Sequence, residues 1–311
     1  LGLAPVVYEK GTRLGGSMLL SSCVVWRHRR FDDFRAECPG GDPDLQRLIW
    51  ERLDDALEWL VSKGAPVVWE ETRNPRTTGK RFEPRGLVEA LAGDVRLGTP
   101  LPERVEEPVI LATGGFPVRL ARERGLLVRS NPWSEGDGIE YARARGAELT
   151  GGLDEFYGRA IPGPVAEEDF VAAAQLYGRY ARRVDDRGEE FFPGEPSWSE
   201  NDLAQAIARL PGARAWYELD AEALERPEVA ERIPYAQETE PLPGGGLRVR
   251  VYAAVTHTLG GLKVDADARA AEGIWAAGVD AGGVALGGYA SGLAQALVLG
   301  LVAAESVYAC R

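Results

Sequence analysis

Histidine, cysteine and methionine are scarce. The 311 residues hold two histidines, His28 and His257, and three cysteines, Cys23, Cys38 and Cys310, all far apart. No metal-ligand spacing and no disulfide framework can be built from them. The expectation is a reducing, cytoplasmic setting and no bound metal. Met18 is the only methionine and the sequence opens on Leu1, so the printed chain is expected to lack its natural beginning. No charged segment followed by an apolar one stands at the start, and no signal peptide is expected. Positive charge is also short: 36 Lys and Arg against 48 Asp and Glu leave a formal charge of -12. Nucleic acid is therefore excluded as a general partner, despite the local run Arg27-His28-Arg29-Arg30. Long apolar runs are missing as well. The longest, Leu293 to Ala304 ahead of Glu305, is short for a membrane span and reads as a buried C-terminal helix.

What is present is an ordinary globular composition, 45% hydrophobic and 27% charged, in a chain long enough for two domains. Val6-Val7-Tyr8 predicts a short buried strand that ends at Glu9 and a turn containing Gly11, Gly15 and Gly16. Asp42 as N-cap and Pro43 at the first helical position open a helix. Its apolar residues Leu45, Leu48, Ile49, Leu53, Ala56, Leu57 and Leu60 recur at helical spacing up to Gly64. Val109-Ile110-Leu111-Ala112 predicts a central strand of a parallel sheet covered on both faces. From Gly151 to about Ala254 the texture turns charged, aromatic and Pro-interrupted, and Leu247 to Tyr252 alternates like a strand. Beyond Thr258 come a strand and turn at Gly273 to Gly278, a Gly-rich loop, and a helix from about Ser291 to Tyr308.

An acidic residue at a strand end, here Glu9, is how dinucleotide folds hold ribose hydroxyls, and an ordinary solvated loop acid looks the same. Gly15-Gly16-Ser17 lets backbone approach a flat ligand or makes a plain turn. Further along stand Ala112-Thr113-Gly114-Gly115-Phe116, Gly136-Asp137-Gly138, His257-Thr258-Leu259-Gly260-Gly261-Leu262, and Ala276-Ala277-Gly278-Val279-Asp280. In this order they resemble the signatures of the FAD-dependent oxidoreductase superfamily that contains fumarate reductase and succinate dehydrogenase flavoproteins, tricarballylate dehydrogenase and 3-ketosteroid dehydrogenases. The resemblance runs from about Val6 to the end.

That resemblance implies a bound FAD, with Glu9 and Lys10 at the adenosine half and Gly15, Gly16 and Ser17 near the flavin. It places Ala112, Thr113 and Gly114 along the pyrophosphate, and Asp137, Gly278 and Asp280 near the ribityl or phosphate region. Family members usually carry glutamate where Asp280 stands. Ser291, Gly292 and Leu293 would open the helix whose N-terminal dipole faces the flavin; the same segment reads as a plain core helix. Tyr289 resembles the tyrosine with which ketosteroid dehydrogenases polarise a carbonyl, and reads equally as a core aromatic. His257 stands where family enzymes contact a substrate carboxylate. Two departures matter. The Gly-x-Gly-x-x-Gly turn that the family places about 20 residues before the ribose acid is not in this sequence, and Gly188-Glu189-Glu190-Phe191 puts Glu190 where fumarate reductases have an arginine.

The expected fold is α/β: a Rossmann-like FAD/NAD(P)-binding domain from residues 1–150 and 256–311, with an inserted α+β capping domain at 151–255. The expected function is an FAD-dependent oxidoreductase acting on CH-CH groups, moving hydride between flavin N5 and a carbon next to a carbonyl or carboxyl. Its partners would be a small ketone, enone or carboxylic acid and an electron donor or acceptor that the sequence does not name. The alternatives are a non-catalytic binding module of the same fold and, less suited to the late Ala-Gly-Val-Asp motif, a NAD-dependent dehydrogenase.

Overall fold

The computed structural model describes residues 5–105 and 108–310; Leu1, where the printed sequence opens, lies outside them. The chain divides into two compact units, the first made of residues 1–116, 131–155 and 257–311, the second of 117–130 and 156–256. The sequence boundary differs at three places: residues 117–130 and Thr256 belong with the second unit, and 151–155 with the first.

In the first unit, Asp42 caps the helix Pro43–Ser62, its Oδ1 accepting from the N–H groups of Asp44 and Leu45 at 2.9 and 3.0 Å. One face of that helix is buried through Leu45, Ile49, Leu53, Ala56, Leu57 and Leu60, as the apolar spacing requires. Each fully buried leucine of this kind contributes about 1.5–3 kcal/mol. The helix packs on the C-terminal helix Gly292–Ala309, tied at the surface by Arg52 and Glu305 at 2.9 Å. That C-terminal helix is longer than the apolar run suggested. Its 18 residues are long and apolar enough to cross a membrane, and Ala294, Gln295, Val298, Leu299, Val302, Ala303 and Val307 are buried within the unit.

Three small sheets complete this unit. Val7–Tyr8 pairs in parallel with Val95–Arg96. Thr77–Phe82 lies between Val24–His28 and Val67–Trp69, antiparallel to both. Ile274–Ala276 pairs in parallel with Val109–Leu111 and antiparallel with Arg269–Ala271. Two sequence expectations are corrected here. Val6 and Val7 are 55% and 40% exposed, so the first strand is not buried, and Ile110 is 41% exposed, so Val109–Leu111 is covered on one face only. An unalternated apolar run does not specify that both faces are covered; that depends on what packs there.

The second unit is a six-stranded sheet with short helices. Thr239–Leu242, Gly246–Thr258, Arg214–Leu219 and Arg182–Val184 follow one another, while Leu127–Val128 and Phe156–Ile161 also pair with the long strand Gly246–Thr258. Phe156, Ile161, Tyr177, Leu203, Ile207, Tyr217 and Leu219 form its fully buried centre.

Candidate functional site

Glu190 lies in the second unit, and the residues expected to bind the cofactor or substrate all lie in the first. The structure gathers them into three groups. In the first, Glu9 follows the strand Val7–Tyr8 and its Oε1 accepts from Gly11 N–H at 2.6 Å. Its carboxylate thus turns into its own loop. Lys10 Nζ lies 2.7 Å from Glu135 and 3.0 Å from Asp137, and the hydrogen bond to Glu135 is the main cause holding its pKa above the ordinary lysine value. Gly11 sits under Trp133, where a Cβ would come within 2.4 Å of the ring. Gly15 and Gly16, at φ +97° and +49°, turn the chain into the helical segment Gly16–Leu20. Ser17 Oγ accepts from Asn131 N–H at 2.9 Å.

The second group surrounds the turn after Val109–Leu111. Gly114 and Gly115 are both in the left-handed region, at φ +89° and +67°. Asp280 is fully buried and grips this turn: its Oδ1 accepts from Gly115 N–H at 2.9 Å and from the Thr113 hydroxyl at 3.0 Å, and its Oδ2 accepts from Thr113 N–H. Burial pushes the Asp280 carboxyl above the usual aspartate value, against the opposing pull of these N–H donors. The carboxylate that the sequence leads one to expect near the ribityl or phosphate region of a cofactor is here engaged by the 113–115 turn. Gly138 approaches the same turn, where a Cβ would lie 2.6 Å from Thr113 Oγ1, and its N–H donates to that oxygen at 3.2 Å. Asp137 begins the helix Asp137–Arg143, while Ala112 is exposed.

The third group is the start of the C-terminal helix. Ser291 Oγ accepts from Ala294 N–H at 3.2 Å and from Trp26 N–H at 3.4 Å. The N–H groups of Gly292 and Leu293, first in the helix Gly292–Ala309, have no intrahelical acceptor and point the positive end of the dipole outward. His257 lies against this end. A Cβ on Gly292 would be 2.8 Å from its Cε1. Enclosed by protein except at one partly exposed edge, the imidazole is pushed down to about 4 by desolvation and is neutral at physiological pH. Gly278, at φ +61°, is fastened to the same helix by Gln295, whose Nε2 donates to the carbonyls of Gly278 and Ala281 at 2.8 and 2.6 Å. Tyr289 is half-buried, its ring 5.2 Å from that of Trp26 and tilted by 52°.

Sequence reading missed Asn131, Trp133, Glu135, Trp26 and Gln295. Only Gln295 left a signal, as a polar residue in the first turn of an otherwise apolar helix; the others matter through contacts more than 100 residues away in sequence. The residues present fit an extended polar ligand. Asn131 Oδ1 and Thr258 Oγ1 are buried and have no hydrogen-bond partner among the described residues. They stand beside Gly16 and Gly115, where added Cβ atoms would lie 3.7 Å from Asn131 Nδ2 and 2.6 Å from Thr258 Oγ1. Among the described residues no group of three or more His, Cys, Asp or Glu could hold a metal ion.

A family model described as "FAD binding domain" matches residues 101–293, more than half of the chain. No curated protein matches the sequence. Solved structures share the fold. A 3-ketosteroid delta1-dehydrogenase from Sterolibacterium denitrificans, in complex with 1,4-androstadiene-3,17-dione, has a TM-score of 0.72 at 15% identity, covering 100% of this chain and 96% of that one. A 3-ketosteroid-delta4-(5alpha)-dehydrogenase from Rhodococcus jostii RHA1, in complex with 4-androstene-3,17-dione, has 0.68 at 16% identity, covering 97% and 91%. The open conformation of a flavocytochrome c3 fumarate reductase has 0.67 at 17% identity, covering 97% and 73%.

Proposed function

The chain belongs to the FAD binding domain family, and from that membership we propose that it is an FAD-dependent oxidoreductase acting on a carbon-carbon bond next to a carbonyl or carboxyl group. FAD is its cofactor and supplies, when bound, the acceptor or donor of a hydride. The observation that carries the reading is the meeting of three groups at one helix start: the N–H groups of Gly292 and Leu293, which have no intrahelical acceptor, a neutral His257, and Tyr289 three residues before Gly292.

Each has a role that follows from its chemistry. The positive end of the helix favours negative charge that builds up on a bound ring system. The Tyr289 phenol donates to a substrate carbonyl oxygen and stabilises it as it becomes an enolate. His257, neutral and desolvated, holds the carbonyl or carboxylate end of the substrate by a hydrogen bond. The turns at Gly15-Gly16-Ser17 and Thr113-Gly114-Gly115 offer backbone N–H groups and close approach to the cofactor, Asp280 fixes the second of these turns, and Asp137, paired with Lys10, stands next to Gly138, whose N–H donates to that same turn.

The substrate class is a ketone, enone or unsaturated acid. Fumarate is disfavoured, because Glu190 stands where fumarate reductases carry an arginine and is paired with Arg183 at 3.8 Å. Two of the structurally similar enzymes hold androstene or androstadiene diones, which are ketones of this class. The test is Tyr289→Phe, assayed for flavin reduction and reoxidation against a panel of ketones, enones and unsaturated acids. Turnover on the best substrate should fall about 100 to 1000-fold while bound FAD, read from its absorbance, stays level. Unchanged turnover returns Tyr289 to the core and leaves a flavin-binding module as the better reading.

A further inference from the structure

Tyr289 can polarise a carbonyl only if its main chain is held still, since a misplacement of about 1 Å at a reacting centre costs about 100-fold in rate. It sits in a loop held at several points. Gly287 N–H donates to Glu155 Oε2 at 2.7 Å, and Gly40 N–H donates to the Leu286 carbonyl at 3.2 Å. A Cβ on Gly288 would strike the Glu37 carbonyl at 1.7 Å. The Tyr289 main chain also acts on two buried side chains, raising the pKa of the His28 ring and lowering that of the Cys38 thiol through hydrogen bonding.

Of these two, His28 is the better built. It ends the strand Val24–His28, in register with Thr77. Its carbonyl accepts from Trp50 Nε1 at 2.8 Å. Its ring, 3% exposed, is stacked on Phe34 at 5.6 Å and meets the edge of Trp26 at 5.3 Å, and Trp26 in turn packs against the Tyr289 ring. Desolvation lowers its pKa while the bond to Tyr289 raises it, which marks the ring as the donor and the Tyr289 carbonyl as the acceptor. His28 also lines a surface cavity of about 320 Å³ together with Asp33, Ala36, Glu37 and Arg76, and a void of about 10 Å³ together with Trp26, Phe34, Ser291 and Gln295.

We infer that His28 is a positioning residue of this site: its ring N–H fixes the Tyr289 peptide, and thereby the phenol. The inference rests on the functional reading above. It needs no proton transfer and no change in the charge of His28.

The experiment compares His28→Ala, His28→Asn and His28→Gln with Tyr289→Phe in the FAD-loaded protein, measuring kcat, KM, FAD content and the effect of added imidazole. His28→Ala should lower kcat about 100-fold with KM and FAD content near wild type. The Asn and Gln variants carry an amide N–H near the two ring-nitrogen positions, and one of them should keep most of the activity. Imidazole should occupy the space that removal of the ring adds to the cavity lined by Asp33, Ala36, Glu37 and Arg76, and restore His28→Ala, but leave Tyr289→Phe as it is. Full activity in His28→Ala beside a collapsed Tyr289→Phe overturns the inference and leaves the functional reading intact. Loss that neither amide variant prevents and imidazole does not lift also overturns it. Unchanged activity in Tyr289→Phe overturns the functional reading. If His28→Ala does not hold FAD, the Asn and Gln variants decide, and losses in both equal to that of Tyr289→Phe count against the inference.

Discussion

Replacing His257 with glutamine should remove a large part of the protein's sensitivity to mild acid. In the folded chain the imidazole is pushed to about 4 by burial, against 6.5 for the free side chain. Between these values the unfolded chain takes up a proton at His257 that the folded chain refuses. Stability from this group is therefore complete above about pH 6.5, falls as the pH drops, and is fully lost below about pH 4. At about 1.4 kcal/mol per pH unit the gap corresponds to about 3 kcal/mol, which solvent at the exposed edge of the ring trims to about 2 to 3. The positive helix end beside Gly292 acts in the same direction, since it too disfavours an imidazolium. Urea midpoints of FAD-saturated wild type and His257→Gln, taken at about pH 7 and about pH 4.5, give the effect as a double difference. His28 and the carboxylates titrate alike in both proteins and cancel. The wild type should lose about 2 kcal/mol more than the variant over that interval. Equal losses would show that His257 is as solvated folded as unfolded, and would refute the burial argument.

Asp280→Ala removes the acceptor from Thr113 N–H, the Thr113 hydroxyl and Gly115 N–H. At about 1–3 kcal/mol per stranded donor the three together should destabilise by about 3 to 9 kcal/mol in urea unfolding and weaken FAD binding; a stable, FAD-replete variant would contradict the role of Asp280 as the grip on this turn. Gly292→Ala pushes a methyl to 2.8 Å from the His257 ring and should weaken FAD binding at least about 10-fold, roughly 1.4 kcal/mol. Gly300→Ala, in the same helix with nothing within 4 Å, should leave FAD binding alone and stabilise by about 0.5 to 1 kcal/mol. Bound FAD should be released by acid precipitation. Cys23 is pushed up to about 11 and Cys38 higher still by burial, so neither supplies the thiolate that a covalent flavin link needs; flavin retained in the pellet would show otherwise.

Local chemistry was the legible part of the fold. Asp42 followed by Pro43 and an apolar repeat of three and four allow one answer, the helix Pro43–Ser62, and Ser291 ahead of an apolar run marks the helix Gly292–Ala309. Both depend on backbone groups within a few residues, which sequence displays directly. The glycines at Gly15, Gly16, Gly114, Gly115 and Gly278 were legible in the same way, because each takes a left-handed conformation that other residues resist.

What the tertiary structure alone decided is where the polar side chains spend their hydrogen bonds. Asp280 reads as a ligand group in sequence, and it is the buried grip of a turn 167 residues away. Lys10 reads as a cofactor contact, and its ammonium is held by Glu135 and Asp137 across 125 and 127 residues. His28 reads as part of a basic run, and it is a buried ring stacked on Phe34 and edge-on to Trp26, its pKa lowered by desolvation. A side chain's desolvation and its partners are set by everything that packs around it, and that surrounding is contributed by segments far apart in the chain. Sequence thus determined which chemical groups the site can contain, and the packing of distant segments determined which of them remain free to act.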